Sequence, residues 1–216
     1  MLSKLSMTTP EPAMSASIST EQLLKLAPDC HPLYRAAFGL ADAALSHYGI
    51  SASAARLAHF VAQVMHETGG LTLLTEDLDY SAERLRAVWP LRFAPRGMLD
   101  ANDYAHRPEA LAEAVYGGRL GNSAPGDGYK FRGRGILQLT GKDSYARVTT
   151  SLSEWSGPVP DFRADPDAVL SPSWCVAVGT AHWHLRRCNE AADRGDLATV
   201  ARLLNGGEIG LRERAR

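Results

Sequence analysis

The chain has 216 residues, of which 45% are apolar and 22% are charged, and its formal net charge at pH 7 is -1. A chain of this length can bury one substantial core, and its balanced charge creates no overall positive field, so a nucleic-acid partner is not expected. Three cysteines, Cys30, Cys175 and Cys188, lie far apart without CxxC spacing, and their odd number argues against a full disulfide framework.

Residues 1–19 are rich in Ser, Thr, Pro and Met and contain no continuous apolar run. They predict a flexible N-terminal arm ahead of a single domain that spans residues 20–216. Because a secretory signal needs an apolar segment, synthesis in the cytoplasm without a signal peptide is expected. No segment is long and apolar enough to span a bilayer, so membrane insertion is not expected either.

Helical patterns begin at residue 19. The stretch "STEQLLKLAP" predicts a short helix with Ser19 and Gln22 in a capping box. Residues 32–48 have a helix-forming composition as far as Gly49, and they predict one further helix.

The next predicted helix is amphipathic and ends at the pair Gly69-Gly70. Its apolar residues recur at the spacing of one helix face, and they are Leu57, Phe60, Val61, Val64 and Met65. At roughly 100° per residue, Glu67 falls about 90° from the centre of this stripe. Its side chain is therefore expected to be half-buried, whereas His66 points away from the stripe.

The rest of the chain predicts helices separated by loops. Residues 80–90 predict a short helix with a Ser81 cap, and the sequence is then loop-like as far as residue 130. Residues 131–140 contain at most one short strand, and residues 142–151 predict a helix. The stretches "PSWCVAVGTAHWHLRRCNEAADRG" and "DLATVARLLNGG" predict a long buried helix and a capped final helix. The expected fold class is mainly α.

No metal site or cofactor is predicted. The run "HETGG" begins like a zinc-protease motif, but position 70 is Gly70 where the second histidine ligand belongs. His182 and His184 lie two positions apart, so on a helix their side chains point in nearly opposite directions. The glycines of "GRGILQLTG" fit neither common nucleotide-binding loop.

Two acidic residues, Glu67 and Glu76, are the remaining chemical candidates, with a glycine turn between them. Glycoside hydrolysis needs one protonated carboxyl group to protonate the leaving oxygen and one carboxylate to activate water. Half-burial of Glu67 on the apolar stripe would favour its protonated form. Acidic pairs are common and most are solvated, so the chemistry alone leaves open whether this pair is catalytic.

Five stretches, in this order, carry a family resemblance: "HETGGL", "TEDLDYSAERL", "YGGRLGN", "GDGYKFRGRGILQLTG" and "RLLNGG". In them the chain resembles glycoside hydrolase family 19, the chitinase and lysozyme-like family, and more closely its phage and bacterial endolysin branch. The resemblance implies a mainly α, lysozyme-like, two-lobed single domain with a central cleft and minimal β structure.

The resemblance also implies roles for single residues. Glu67 matches the general acid, Glu76 matches the general base, and Thr140 matches a hydroxyl that helps to hold the attacking water. Ser144 stands where the family usually has a sugar-contacting asparagine. The other positions implied to bind substrate or line the cleft are Tyr129, Arg134, Gln138, Asn205 and Arg214.

The implied activity is hydrolysis of β-1,4 bonds between amino sugars with inversion, which requires carboxyl groups about 6.5 to 9.5 Å apart. Peptidoglycan glycan strands are the preferred substrate, with Lys130, Arg132 and Arg134 expected to meet its carboxylates. The alternatives are a chitinase acting on N-acetylglucosamine polymers and a secreted antibacterial effector bound by an immunity protein. A monomer is expected to act on the cell wall, in the periplasm or outside the cell, after delivery through a holin pore or a secretion system.

Overall fold

The computed structural model describes residues 15–205, and for Asn205 its backbone alone. Over this range the protein is built from α-helices joined by loops, which confirms the mainly α prediction. In chain order the helices are α1 (Thr20–Leu26), α2 (Pro32–Phe38), α3 (Asp42–His47), α4 (Ala54–Glu67), α5 (Ala82–Val88), α6 (Pro108–Tyr116), α7 (Asp127–Lys130), α8 (Lys142–Ser156), α9 (Cys175–Leu185), α10 (Cys188–Asp193) and α11 (Leu197–Asn205). Two short 3₁₀ helices cover Ala101–Asp103 and Pro166–Leu170.

Pairing of extended backbone is limited, between residues 15 and 205, to isolated bridges. Arg134 bridges Thr75 on one side and Leu139 on the other, and a third bridge joins Phe93 to Leu99. The first two bridges form the small β element expected within residues 131–140. They bring the backbone after α4 beside the loop that precedes α8.

The N-terminal boundary differs from the prediction. Ser19 and Gln22 form the expected capping box at the start of α1. Upstream of that cap, however, the Ala16 N–H donates to the Ser51 carbonyl at 2.8 Å, and Ile18 packs against the main core. The predicted arm therefore does not include residues 15–19, because they already contact the helical body.

Two predicted helices are each divided into two. Residues 32–48 form α2 and α3, since the chain turns at Gly39, a residue that favours helix ends. The long buried helix near the C-terminus becomes α9 and α10, because Arg187 adopts a left-handed conformation with φ 58°. A continuous α-helix cannot contain that conformation.

Helix α6 lies inside the region predicted as loop. It has Pro108 at its first position and Gly117 directly after its last, and both residues favour those places. Leu111, Ala112 and Val115 are its buried face. The prediction was wrong here because scattered glycine, asparagine and aspartate around this short helix obscured its apolar pattern.

The core is divided in a way that creates two lobes. A separate apolar cluster lies within residues 78–129, here called the small lobe, and its buried members include Leu85, Phe93 and Leu111. The other two clusters form the large lobe, and α9 contributes to both of them. Because α9 packs into both clusters, it is buried on nearly every side. No helix within residues 15–205 has both the length and the hydropathy to cross a membrane.

Candidate active site

A cleft of about 670 Å³ lies where the two lobes meet. The large lobe contributes the end of α4, the end of α9 and part of α11, and the small lobe contributes the end of α6. The loops that connect the lobes form the remainder. The lining residues are Glu67, Glu76, Tyr116, Arg119, Leu120, Gly133, Gln138, Thr140, His182, Arg186, Arg202, Leu203 and Leu204.

Glu67 is the last residue of α4 and is half-buried, as the helical pattern predicts. The helix starts at Ser53, whose hydroxyl accepts from the Arg56 N–H, and buries its apolar stripe in the large-lobe core. It ends because the Thr68 hydroxyl donates to the Val64 carbonyl and the Gly70 N–H donates to the Met65 carbonyl at 2.7 Å. These bonds fix Glu67 at the rim of the cleft.

Glu76 is held by three hydrogen bonds to two residues. Its backbone N–H donates to the Gly133 carbonyl at 2.9 Å, and the Gly133 N–H donates to its Oε2 at 3.3 Å. The hydroxyl of Tyr116 donates to its Oε1 at 2.6 Å. Burial raises the pKa of Tyr116 well above its usual range, and the neighbouring Glu76 carboxylate adds to this increase. Tyr116 therefore remains a hydrogen-bond donor to Glu76 throughout the physiological pH range.

Gly133 is the point at which three of the lining side chains meet. A Cβ at this position would lie 2.8 Å from Oε1 of Gln138 and 3.3 Å from both Cβ of Glu76 and Oγ1 of Thr140. A side chain at this position would displace the end of the Gln138 side chain and crowd Glu76 and Thr140. The absence of one at Gly133 lets Glu76, Gln138 and Thr140 converge.

Gln138 and Thr140 belong to a tight turn on the floor of the cleft. Gln138 has φ 48°, a left-handed conformation that is uncommon outside glycine and frequent at functional sites. Its Nε2 donates to the Gly135 carbonyl at 3.0 Å, and the Thr140 hydroxyl donates to the Gln138 carbonyl at 2.9 Å. Because the hydroxyl proton of Thr140 is used in this way, Oγ1 is left as an acceptor facing the cleft.

Arg134 does not face the cleft. Its side chain is only 3% exposed, and its Nε donates to Asp167 at 2.7 Å. Its Nη1 donates to the carbonyls of Lys130 and Arg132 and to the Tyr145 hydroxyl. Arg134 thus supports the loop from the inside, which corrects its predicted role as a substrate-binding residue.

Two other predicted substrate-binding residues, Tyr129 and Ser144, do not line the cleft. Tyr129 packs against the small-lobe core, and the Arg132 guanidinium lies 4.2 Å from the centre of its ring. Ser144 lies in the first turn of α8, where its N–H donates to the Gly141 carbonyl. Asn205 is the last residue of α11, but its side chain is outside the described part of the chain, and so is the whole of Arg214.

Several lining residues were not predicted to belong to the site. Tyr116 and Arg119 come from the small lobe, and His182 and Arg186 come from α9 and the residue after it. His182 is buried and His184 is exposed, which confirms that they point in opposite directions. Burial lowers the pKa of His182 to about 3, with smaller contributions from nearby Arg186 and Arg147. His182 is therefore neutral at physiological pH.

No group of three or more His, Cys, Asp or Glu side chains suited to a metal ion occurs within residues 15–205. The polar side chains that line the described cleft carry carboxyl, hydroxyl, amide, imidazole and guanidinium groups.

The fold is that of solved chitinases. Chitinase C from Streptomyces griseus HUT6037 matches with a TM-score of 0.55 and 18% identity over 91% of this chain and 87% of that one. A bacterial family 19 chitinase matches with a TM-score of 0.51 and 23% identity over 87% and 81%. A mutant of chitinase C matches with a TM-score of 0.54 and 18% identity over 87% of this chain, which spans only 65% of that mutant chain.

Sequence similarity then identifies the family. A glycosyl hydrolase family 19 domain-containing protein of Haemophilus influenzae is 37% identical over 161 residues, which are 74% of this chain and 74% of that protein. No family model matches the chain. The chain belongs to glycosyl hydrolase family 19, and it is a glycosidase.

Proposed function

We propose that the protein cleaves β-1,4 bonds between amino sugars by an inverting mechanism, with Glu67 as general acid and Glu76 as general base. The observation that carries this proposal is that both carboxyl groups line one cleft in different settings. Glu67 is half-buried at a helix end, whereas Glu76 accepts hydrogen bonds at both oxygens from Tyr116 and Gly133. Two carboxyl groups with different surroundings suit the separate roles of acid and base.

In the proposed reaction, Glu67 transfers its proton to the glycosidic oxygen as the bond from that oxygen to the anomeric carbon breaks. Glu76 takes a proton from a water that attacks the same carbon from the opposite face. Thr140 supports this step, because its Oγ1 is available as an acceptor close to Glu76. The side chain of Gln138 lies beside them and offers its Oε1 to a sugar N–H or hydroxyl.

Peptidoglycan is the proposed substrate. Arg119, Arg186 and Arg202 line the cleft, and among the described residues the side chain of Arg186 forms no hydrogen bond or ion pair. Guanidinium groups pair well with carboxylates, which peptidoglycan carries on its lactyl-linked peptides and N-acetylglucosamine polymers lack. These cleft arginines replace Lys130, Arg132 and Arg134 as the proposed anion contacts, since none of those three residues lines the cleft.

A chitinase is the second candidate, and the likeness of the fold to solved chitinases favours it. The two substrates are distinguished by supplying purified peptidoglycan and chitin oligomers separately and identifying the sugar at each new reducing end. Faster cleavage of chitin oligomers than of peptidoglycan would overturn the substrate proposal.

The roles of the residues are tested by two variants. Glu67→Gln is expected to lose a factor on the order of 10² to 10⁴ in rate on either substrate, because the general acid is removed. Arg186→Gln is expected to weaken cleavage of peptidoglycan more than that of chitin oligomers. Arg147→Gln is the matched control, since Arg147 is exposed and does not line the cleft. Equal effects of Arg186→Gln on both substrates would argue against recognition of carboxylates.

The same proposal includes action on the cell wall as a monomer after delivery through a holin pore or a secretion system. Lysis of cells exposed to the purified protein from outside, compared with lysis when it is expressed together with a holin, tests that route.

A further inference from the structure

Gln63 is a buried amide without a hydrogen-bond partner. Its side chain is 0% exposed, and neither Oε1 nor Nε2 is hydrogen-bonded to any part of the chain that the structure describes. Burying an amide in this way is costly, and most buried polar groups in proteins are paired with protein or with water. A bound ligand that forms the missing hydrogen bonds of the Gln63 amide would remove this cost.

The position of Gln63 on α4 indicates which group shares that ligand. Gln63 lies one helical turn before Glu67, so the two residues are only about 40° apart around the helix axis. Helical side chains lean toward the N-terminus of their helix, so the Glu67 side chain extends back over the turn that carries Gln63. Phe60 and Val64, which are also buried on α4, are apolar. The polar side chains four positions from Gln63 on this helix are His59 on the N-terminal side and Glu67 on the C-terminal side, and of these two Glu67 lines the cleft.

We propose that Gln63 is a positioning residue that holds one buried water against the Glu67 carboxyl group, on the side away from the substrate. An amide can donate to a water and accept from it, and an internal water needs two or more polar partners. Gln63 and Glu67 supply both ends of such a bridge. This inference rests on the proposed role of Glu67 as general acid.

The water between Gln63 and Glu67 would stabilise the Glu67 carboxylate that forms during the reaction. When Glu67 gives its proton to the leaving oxygen, its carboxyl group becomes a carboxylate at the half-buried end of α4. A water held by the Gln63 amide can donate a hydrogen bond to that carboxylate without moving. Donors that are already oriented toward a developing charge lower the barrier to the step that creates it.

The first test replaces the amide with an apolar side chain of similar length, as Gln63→Met. The kcat is expected to fall by roughly ten- to a hundredfold, the change that corresponds to losing one hydrogen bond to a charged group. KM is expected to stay the same, because no contact with bound substrate is removed. The temperature of unfolding is expected to stay the same or rise, since a buried polar group is lost. A kcat equal to that of the parent would overturn the inference.

The second test is Gln63→Glu, which keeps the size and adds a carboxyl group. A second negative charge beside Glu67 disfavours ionisation of Glu67, so the basic limb of the pH–rate profile is expected to move to higher pH. The other charged or titratable groups that line the cleft are Glu76, Tyr116, Arg119, His182, Arg186 and Arg202. His59 and His66 are the titratable neighbours on α4, and the variant leaves all of these groups unchanged. An unmoved basic limb would contradict a placement of Gln63 against Glu67.

Two further variants distinguish a failure of the positioning role of Gln63 from a failure of the proposed role of Glu67. Ser171→Ala removes another buried polar group without a partner in residues 15–205, away from the cleft lining, and is expected to keep the parent kcat. Glu67→Gln tests the proposed function itself. If Glu67→Gln is inactive while Gln63→Met matches the parent, only the positioning role fails. If Glu67→Gln remains active, the proposed general acid is wrong.

A crystal structure of the protein that resolves internal waters supplies an independent readout. It is expected to contain a water within hydrogen-bond distance of both the Gln63 amide and the Glu67 carboxyl group. A Gln63 amide paired directly with protein, with no such water, would overturn the inference.

Discussion

Tyr116 donates a hydrogen bond of 2.6 Å to Glu76, although the two residues lie 40 positions apart in the chain. Tyr116 ends α6 in the small lobe, whereas Glu76 is fixed to the cleft floor by the backbone of Gly133. The raised pKa of Tyr116, caused first by burial and then by Glu76, keeps the phenol protonated. The proposed general base is thus oriented by a residue of the opposite lobe.

Replacing this donor is expected to impair the reaction without unfolding the protein. Tyr116→Phe keeps the buried ring and removes the bond to Glu76, and kcat is expected to fall by roughly ten- to a hundredfold. Steady-state kinetics on the cleaved glycan measure the effect. Tyr104→Phe is the control, because Tyr104 packs against Phe93 in the same lobe and does not line the cleft. Equal activity of the Tyr116→Phe and Tyr104→Phe variants would show that the hydroxyl of Tyr116 does not contribute to the mechanism.

Gly133→Ala is expected to reduce activity on the order of tenfold or more, because misplaced catalytic groups cost large factors in rate. The added Cβ would lie 2.8 Å from Oε1 of Gln138, so the end of the Gln138 side chain must move away from its place beside Glu76 and Thr140. Gly39→Ala, at the end of α2 and outside the cleft lining, is expected to keep full activity. Rates per folded molecule, with folding checked by circular dichroism, provide the comparison. Normal rates for Gly133→Ala would mean that the convergence of side chains there is unimportant.

Arg134→Met is expected to lower the free energy of unfolding by about 2–4 kcal/mol, because the carbonyls of Lys130 and Arg132 and the Tyr145 hydroxyl each lose a charged donor. Asp167→Asn is expected to cost less than about 1 kcal/mol, since the Asp167 side chain is 70% exposed. Chemical denaturation measures both values. A stable Arg134→Met protein with a raised KM would instead restore the direct role in substrate binding predicted from the sequence.

His182 is expected to make stability depend on pH. Burial lowers its pKa to about 3 from an ordinary 6.5, so below pH 6.5 the unfolded chain takes up a proton that the folded protein excludes. The free energy of unfolding should therefore decrease from pH 6.5 toward pH 3, by at most about 1.4 kcal/mol per pH unit from this group. Denaturation curves of the parent and His182→Leu are to be compared, with the exposed His184 changed to Leu as control. Parallel pH dependences for the parent and His182→Leu would contradict this origin.

Inversion is expected in the first product released. Hydrolysis of a β-linked glycan should initially yield the α-anomer, because water attacks from the face opposite the leaving group. Proton nuclear magnetic resonance recorded before mutarotation identifies the anomer. An initial β-anomer would indicate retention and a different role for Glu76.

Local periodicity was sufficient to predict the position of Glu67. The apolar stripe of α4 fixes which helix face is buried, so the half-buried setting of Glu67 follows from spacing alone and is confirmed. The cap at Ser19 and the cap at Ser81 are likewise local hydrogen-bonding patterns, and both are confirmed.

Contacts between distant residues could not be predicted in the same way. The bond between Tyr116 and Glu76 depends on how the small lobe docks, which no short motif encodes. Three basic residues in a glycine-rich loop, Lys130, Arg132 and Arg134, were predicted to meet carboxylates of the substrate. The paired backbone of Arg134 and Leu139, however, turns the Arg134 side chain inward toward Tyr145. The observed role of Arg134 differs from the predicted one because tertiary packing gives its guanidinium group hydrogen-bond partners inside the protein.

The hydrogen bond from Tyr116 to Glu76 has a consequence for the width of polymer that the protein can process. A thick or cross-linked strand that wedged the two lobes apart would stretch this bond and release the carboxylate from its orienting donor. We therefore expect glycan strands freed of peptide cross-links to be cut faster than strands held in the cross-linked wall. Comparing release of reducing ends from peptidoglycan before and after removal of its peptide cross-links measures this selectivity.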